Sequence, residues 1–75
     1  MSAGGDMHRV IAALYKRRVA MNLSQEAVAL KVGVSRAAIC NWENCRGGIT
    51  AENLFRWADA LGMSITCDVK ETADV

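Results

Sequence analysis

Residues 24–43, SQEAVALKVGVSRAAICNWE, constrain the fold more than any other part of the chain. Ser24 and Ser35 each precede a short segment, and a serine hydroxyl can accept a hydrogen bond from the free amides that open a helix. Between the two segments, Gly33 can adopt the left-handed backbone conformation that ends a helix. The stretch therefore predicts two short helices, Gln25–Val32 and a second one from Arg36 onward, joined by a tight turn.

The segment from residue 36 to residue 44 has two different faces when it is wound as a helix at about 100° per residue. Ile39 and Trp42, its large apolar side chains, fall on one arc together with Ala38, and Glu43 lies at the border of that arc. The opposite, outer arc carries short or polar side chains: Arg36, Ala37, Cys40, Asn41 and Asn44. This division suits a helix in the major groove of DNA, so the stretch predicts a helix-turn-helix.

An amphipathic helix is predicted before this unit, over residues 7–21. Asp6 is the candidate N-cap, and residues 1–5, which include two glycines, are expected to be disordered. Arg17 falls on the apolar stripe of this helix, so its stem should lie along the surface with its charged head in water. The stripe consists of Val10, Ala13, Leu14 and Met21.

A fourth helix is predicted after a loop over residues 45–49 that contains two glycines. Thr50 is its expected N-cap, and Gly62 is expected to end it. Its inner stripe is formed by apolar residues, which are Leu54, Trp57, Ala58 and Leu61. The helix-turn-helix domain is therefore expected to span residues 6–62.

In the C-terminal part of the chain, residues 63–75, the hydrophobic period changes over residues 63–70, MSITCDVK, and a short tail follows. Apolar and polar residues alternate from Met63, which predicts a β-strand over residues 64–69. Because a lone strand needs a partner, the expected mate is the same segment of a second copy, with Ile65, Cys67 and Val69 contributing to dimerisation. A fifth helix or a disordered tail is the alternative. The predicted fold class is thus all-α, with four helices and a short C-terminal β-strand that pairs across a dimer.

The distribution of charge favours a nucleic-acid partner, although the net charge of the chain is only +1. Residues 63–75 are acidic, with Lys70 against three carboxylates. Between residues 16 and 46, in contrast, six Lys and Arg stand against two Glu, which gives a local charge of +4. A basic region around the predicted helix-turn-helix suits a phosphate backbone.

Several other classes of function are disfavoured. The three cysteines, Cys40, Cys45 and Cys67, form no CxxC pattern and lie far in sequence from His8, so we expect neither disulfides nor a metal site. We expect no cofactor and no enzymatic activity, because no histidine or cysteine has a suitable partner nearby and the carboxylates are scattered. Without a long apolar run or a signal peptide, a cytoplasmic protein is expected, with no membrane partner.

The sequence resembles the lambda-repressor-like, or XRE-type, helix-turn-helix family in LSQEAVALKVGVSRAAICNWE. The resemblance lies in the leucine, serine and glutamine opening the second helix, the small residue and glycine at the turn, and the serine opening the third helix. It continues with an isoleucine within that helix and an aromatic residue followed by glutamate at its end. It implies that Arg18 pairs with Glu43, and that Gln25 holds a phosphate and braces the recognition helix. By the same resemblance Leu30, at a position the family often gives to a polar residue, is expected to be exposed.

The predicted DNA-binding residues combine this resemblance with the outer arc. Arg36 has the donor fork for a guanine edge, Asn41 can pair with adenine or hold a phosphate, and Ala37 can contact a thymine methyl group. Because few of these groups can read bases directly, part of the specificity is expected to come from DNA shape. The full set is Gln25, Lys31, Ser35, Arg36, Ala37, Cys40, Asn41, Asn44 and Arg46, with Arg18, Trp42 and Glu43 in structural roles.

The C-terminal end, ITAENLFRWADALGMSITCDVK, is similar to that of HipB-like antitoxins, in which a strand pairs with the other subunit. The resemblances together imply a sequence-specific transcriptional regulator, expected to be a repressor, that binds an inverted-repeat operator in double-stranded DNA as a homodimer. Two alternatives are open: an antitoxin that regulates its own operon and binds a toxin, and a protein-interaction module that does not read DNA.

Overall fold

The computed structural model describes residues 3–66. Four helices make up this part of the chain: α1 (Ala3–Ala20), α2 (Gln25–Val32), α3 (Arg36–Glu43) and α4 (Ala51–Ala60). The prediction of an all-α domain with four helices is confirmed. Residues 63–66 have no regular secondary structure, and the remainder of the predicted strand, including Cys67 and Val69, lies outside the described residues. The strand and its pairing therefore stay predictions.

Side-chain caps define where α2, α3 and α4 begin, as predicted. The hydroxyl of Ser24 accepts a hydrogen bond from the amide of Ala27 at 3.0 Å. Ser35 and Thr50 do the same for the amides three residues ahead of each, both at 3.1 Å. Gly33 ends α2 with φ +88°, and nothing lies within 4 Å of the position where a Cβ would stand. These boundaries depend on contacts within a few residues, which is why the sequence alone predicts them.

Helix α1 departs from its prediction at both its start and its buried face. It begins at Ala3 instead of residue 7, and Asp6 lies in its first turn, 3.4 Å from the guanidinium of Arg9, instead of capping it. An acidic side chain in a first turn is stabilised by the partial positive charge of the helix N-terminus. The buried residues of α1 are Ile11 and Leu14, whereas Ala13 and Met21 are exposed and Val10 is half-buried. Of the predicted stripe, Leu14 is therefore confirmed, whereas Ala13 and Met21 were wrong, because packing against the other helices selects the buried face.

The core lies between the four helices and consists of apolar side chains. The indole rings of Trp42 and Trp57 meet at its centre, with their centroids 5.6 Å apart and their planes tilted by 39°. This separation lies within the range of about 4.5–7 Å over which aromatic rings interact favourably. The buried residues are Ile11, Leu14, Val28, Ala29, Val32, Ile39, Trp42, Leu54, Trp57, Ala58 and Leu61. The predicted inner stripe of α4 is confirmed.

Arg17 fastens α1 to the end of α4. Its Nε donates a hydrogen bond to the carbonyl of Leu61 at 3.0 Å. The last carbonyls of a helix lack partners within the helix and favour a cation there. Arg17 is exposed, as expected, and in addition its head is hydrogen-bonded to an acceptor 44 residues away in sequence.

Candidate nucleic-acid interface

The outer arc of α3 faces solvent over its whole length. Arg36, Ala37, Asn41 and Asn44 are exposed, and Cys40 is half-buried. The opposite arc is inserted into the core, with Ile39 fully buried and Trp42 nearly so. The helix thus presents a continuous strip of short and polar side chains about two turns long, as the sequence predicted.

A buried carboxylate fixes the end of α3. Glu43 has a side chain that is only 4% exposed, and its Oε2 accepts a hydrogen bond from Nε of Arg18 at 2.6 Å. Its Oε1 accepts one from Nη2 of Arg18 at 3.1 Å and one from Nε2 of Gln25 at 2.9 Å. Glu43, expected at the border of the buried arc, therefore joins α1, α2 and α3. The ion pair and the bracing by Gln25 that the family resemblance implies are both present.

Arg18 also holds the turn that connects α1 with α2. Its Nη1 donates to the carbonyl of Leu23 at 2.8 Å, so all three guanidinium nitrogens are engaged. The hydrogen bonds that Arg18 donates to Glu43 raise the pKa of Arg18 above its ordinary value, against the opposite effect of burial. A cation whose pKa is higher in the folded state contributes stability at every pH below its unfolded pKa. The clamp formed by Arg18, Gln25 and Glu43 is therefore insensitive to the titration of Arg18 under physiological conditions.

The remaining cations near α3 are available to a ligand. Within residues 3–66 the ion pairs are Arg9 with Asp6 and Arg18 with Glu43, so Lys31, Arg36 and Arg46 take part in none. Arg36 lies at the N-terminus of α3 and lines an open groove of about 580 Å³ with Ser24, Gln25, Glu26 and Arg18. Lys31, Arg36 and Arg46 are all exposed. The surface around α3 thus combines a polar helix face with unpaired positive charge.

A family model described as Helix-turn-helix matches residues 14–66, which is more than half of the chain. The chain belongs to the lambda-repressor-like, XRE-type helix-turn-helix family. The family is one of DNA-binding regulators and not of enzymes, so the chain is a DNA-binding transcription regulator of the XRE type. No curated protein gives a match to the chain. Among the described residues, no helix is long and apolar enough to cross a membrane, and no cluster of side chains could hold a metal ion.

Asn44 has a structural contact in this XRE-type domain that the sequence did not predict. Its Nδ2 donates to the carbonyl of Cys40 at 2.8 Å and lies 3.6 Å from the sulfur of the same residue. Asn44 therefore caps the C-terminal end of α3, and its side-chain oxygen is the group left for a contact outside the protein. The next residue, Cys45, turns the chain away with φ +57°.

The XRE-type domain also contains a residue beside the interface that sequence reasoning missed. Tyr15, on α1, is 46% exposed, and its ring lies 5.4 Å from Cζ of Arg18. Together with Gln25 and Asn44 it lines an open cavity of about 420 Å³. The available signal was its spacing of three residues from Arg18, which places both side chains on one side of a helix.

Leu30 and Ile65, both apolar, lie in different surroundings. Leu30 is 79% exposed, as expected, and is the most exposed large apolar side chain of the described residues. Ile65 is half-buried and packs against the core of its own subunit, lining a groove of about 230 Å³ with Val10 and Leu14. Its side chain is therefore partly occupied within one chain, and any contribution to a dimer has to come from its backbone or its exposed edge.

Proposed function

We propose that the protein is a homodimeric repressor that binds an inverted-repeat operator through α3. The observation that carries the proposal is the exposed outer arc of α3, held in place by Glu43 and surrounded by unpaired cations. Arg36 and Asn41 are the side chains on this arc that can make paired hydrogen bonds to base edges. As a regulator of transcription, the protein acts in the cytoplasm.

Phosphate contacts position the helix in the groove in this proposal. Lys31 and Arg46 are exposed, and Gln25 lies at the N-terminus of α2, where helix amides favour an anion. Ser35, at the start of α3, can contribute in the same way. Because Ala37, Cys40 and Asn44 offer few groups for reading bases, specificity depends on DNA shape and on two copies bound at a fixed spacing.

Dimerisation is assigned to residues 64–69, whose alternating pattern favours antiparallel pairing with the same segment of a second copy. Ile65, Cys67 and Val69 are the apolar members of this segment. A dimer with two α3 helices in successive major grooves requires half-sites about 34–36 Å apart, or 10–10.5 base pairs. The operator is therefore an inverted repeat with that spacing.

The experiment that tests this proposal is selection of bound duplexes from a random pool, followed by footprinting on the enriched sequence. The expected result is an inverted repeat with half-sites about one helical turn apart. Equal binding to all duplexes would contradict sequence-specific reading. An enriched site without a repeat would contradict only the proposed dimer and would leave sequence-specific reading in place.

Two truncations separate dimerisation from folding. Met63 and Ile65 pack against the core, so a chain ending at Thr66 keeps those contacts and removes most of the predicted strand. The matched control ends at Lys70 and retains residues 64–69. Sedimentation is expected to show a monomer for the shorter chain and a dimer for the control. A dimer in both would assign the interface to another surface.

A second candidate function is that of an antitoxin that also binds a toxin protein. Leu30, the most exposed large apolar side chain of the described residues, favours a protein contact on α2, on the side away from the core. The partner to test is a toxin encoded by a gene beside the gene of this protein. The test is co-purification of that toxin with the wild type and with Leu30→Gln. Equal recovery with both variants would remove Leu30 from the contact, and no recovery with the wild type would remove this candidate.

A further inference from the structure

We propose that Tyr15 is an additional contact to the DNA backbone, in which its phenol donates a hydrogen bond to a phosphate oxygen. The inference rests on the DNA-binding function proposed above, and it adds a residue from α1 to an interface otherwise formed by α2, α3 and the loop after α3. Tyr15 lies outside residues 24–43 and is not among the DNA-binding residues expected from the sequence.

The ring of Tyr15 rests on a side chain that cannot move freely. It lies 5.4 Å from Cζ of Arg18, within the range of a cation–π contact. Arg18 is itself held by hydrogen bonds to both carboxylate oxygens of Glu43 and to the carbonyl of Leu23. A ring that packs on a fixed guanidinium loses little further freedom when it binds, so its exposed hydroxyl edge is positioned in advance.

The position of Tyr15 is at the edge of the proposed interface. The cavity of about 420 Å³ that it lines is shared with Gln25, from the start of α2, and with Asn44, from the end of α3. Both of those residues are in the predicted DNA-binding set. A DNA backbone that passes over Gln25 and Asn44 therefore also passes the phenol of Tyr15.

The phenol of Tyr15 is an available hydrogen-bond donor in this cavity. The charge of Arg18 is matched by Glu43, and Gln25 and Asn44 each already use one amide hydrogen within the protein. The hydroxyl of Tyr15 has no hydrogen-bond partner among the described residues, and 46% of the residue is exposed. Phosphate oxygens accept hydrogen bonds, and tyrosine is among the side chains that commonly donate to them.

A neutral donor leaves a distinctive signature in the dependence of binding on salt. Lysine and arginine release counterions when they neutralise a phosphate, which steepens the dependence of affinity on salt concentration. A phenol carries no charge at neutral pH and releases none. Loss of the Tyr15 contact is therefore expected to weaken binding to every sequence without changing the salt slope.

The test compares Tyr15→Phe with the wild type on a duplex of about 20 base pairs with random sequence. Phenylalanine keeps the ring over Arg18 and removes only the hydroxyl. Fluorescence anisotropy at two salt concentrations is expected to show a Kd raised by about 2- to 10-fold per bound subunit, the effect of one neutral hydrogen bond, with an unchanged salt slope. Lys31→Ala is the matched control, and it is expected to lower the slope by about 1.

The outcomes distinguish this inference from the function on which it rests. If the wild type binds DNA and Tyr15→Phe binds with the same Kd, the contact is overturned and the proposed function stays in place. Weaker binding together with a lower thermal unfolding midpoint would overturn it in favour of a purely structural role. A wild-type chain that binds no duplex would refute both. Tyr15→Leu, which also removes the ring, is expected to bind more weakly than Tyr15→Phe and to unfold at a lower temperature.

Discussion

Replacing Glu43 by glutamine tests how much the clamp at the end of α3 contributes to stability. The substitution keeps the size of the side chain and one carbonyl oxygen but removes the charge that faces Arg18. Glu43 is 4% exposed and the side chain of Arg18 is 14% exposed, so the arginine keeps its charge in a mostly buried place without a counterion. Losing one partner of a buried pair costs about 3–5 kcal/mol. Because glutamine still accepts one hydrogen bond and Arg18 has some access to water, we expect about 2–4 kcal/mol.

A loss of this size is large for a domain of 75 residues, whose free energy of unfolding is expected to be about 4–11 kcal/mol. The assay is urea unfolding followed by circular dichroism, repeated at several protein concentrations because a dimer makes the midpoint depend on concentration. Glu26→Gln is the control. It removes an exposed carboxylate from the first turn of α2 and is expected to cost less than about 1 kcal/mol.

The double replacement Arg18→Met with Glu43→Leu distinguishes a structural charge pair from simple packing. Removing both charges avoids leaving either one alone, so the double variant should lose less free energy of unfolding than Glu43→Leu by itself. Equal stability of Glu43→Gln and Glu26→Gln would refute the argument that the buried carboxylate holds α3 in place.

Three further predictions concern single side chains. Arg36→Ala is expected to reduce the preference for specific over non-specific DNA by about 1–3 kcal/mol, whereas Lys31→Ala weakens binding to all sequences alike. Fluorescence anisotropy on selected and random duplexes measures this preference. An equal loss of affinity for both duplexes with Arg36→Ala would exclude a contact between Arg36 and a base. Gly33→Ala is expected to lower the free energy of unfolding by about 1–2 kcal/mol, measured by thermal unfolding. The cause is backbone strain alone, since φ is +88° and a Cβ would meet no atom within 4 Å. A much larger loss would indicate a clash. Leu30→Gln, at a position 79% exposed, should change the free energy of urea unfolding by less than about 0.5 kcal/mol. A larger loss would show that Leu30 packs in a contact between copies of the chain.

The elements that the sequence predicted correctly are those set by nearby residues. Ser24, Ser35 and Thr50 cap their helices through amides three residues away, and Gly33 ends α2 by its own backbone conformation. The outward arc of α3 also followed from local pattern, because two large side chains, Ile39 and Trp42, fall on the opposite side. In such cases the chain carries enough information within about one or two helical turns.

The errors lie where the answer depends on distant parts of the chain. The phase of α1 depends on packing, and Ile11 replaced Val10 as a buried residue although both are apolar and adjacent. The contacts of Arg17 with Leu61 and of Tyr15 with the cavity near Asn44 join residues far apart in sequence. A helical periodicity gives the direction of a side chain on its own helix but not what it meets.

The clamp formed by Arg18, Gln25 and Glu43 limits how this domain can be used as a module. The orientation of α3 depends on Arg18 of α1, which lies 25 residues before its partner Glu43 in the sequence, and on Gln25 of α2. Transferring residues 24–43 to another scaffold would carry most of the recognition surface but leave Glu43 without its counterion. The smallest unit suitable for grafting or for domain exchange therefore begins within α1, and a change of DNA specificity is better made by substitution on α3 than by exchange of the two-helix segment.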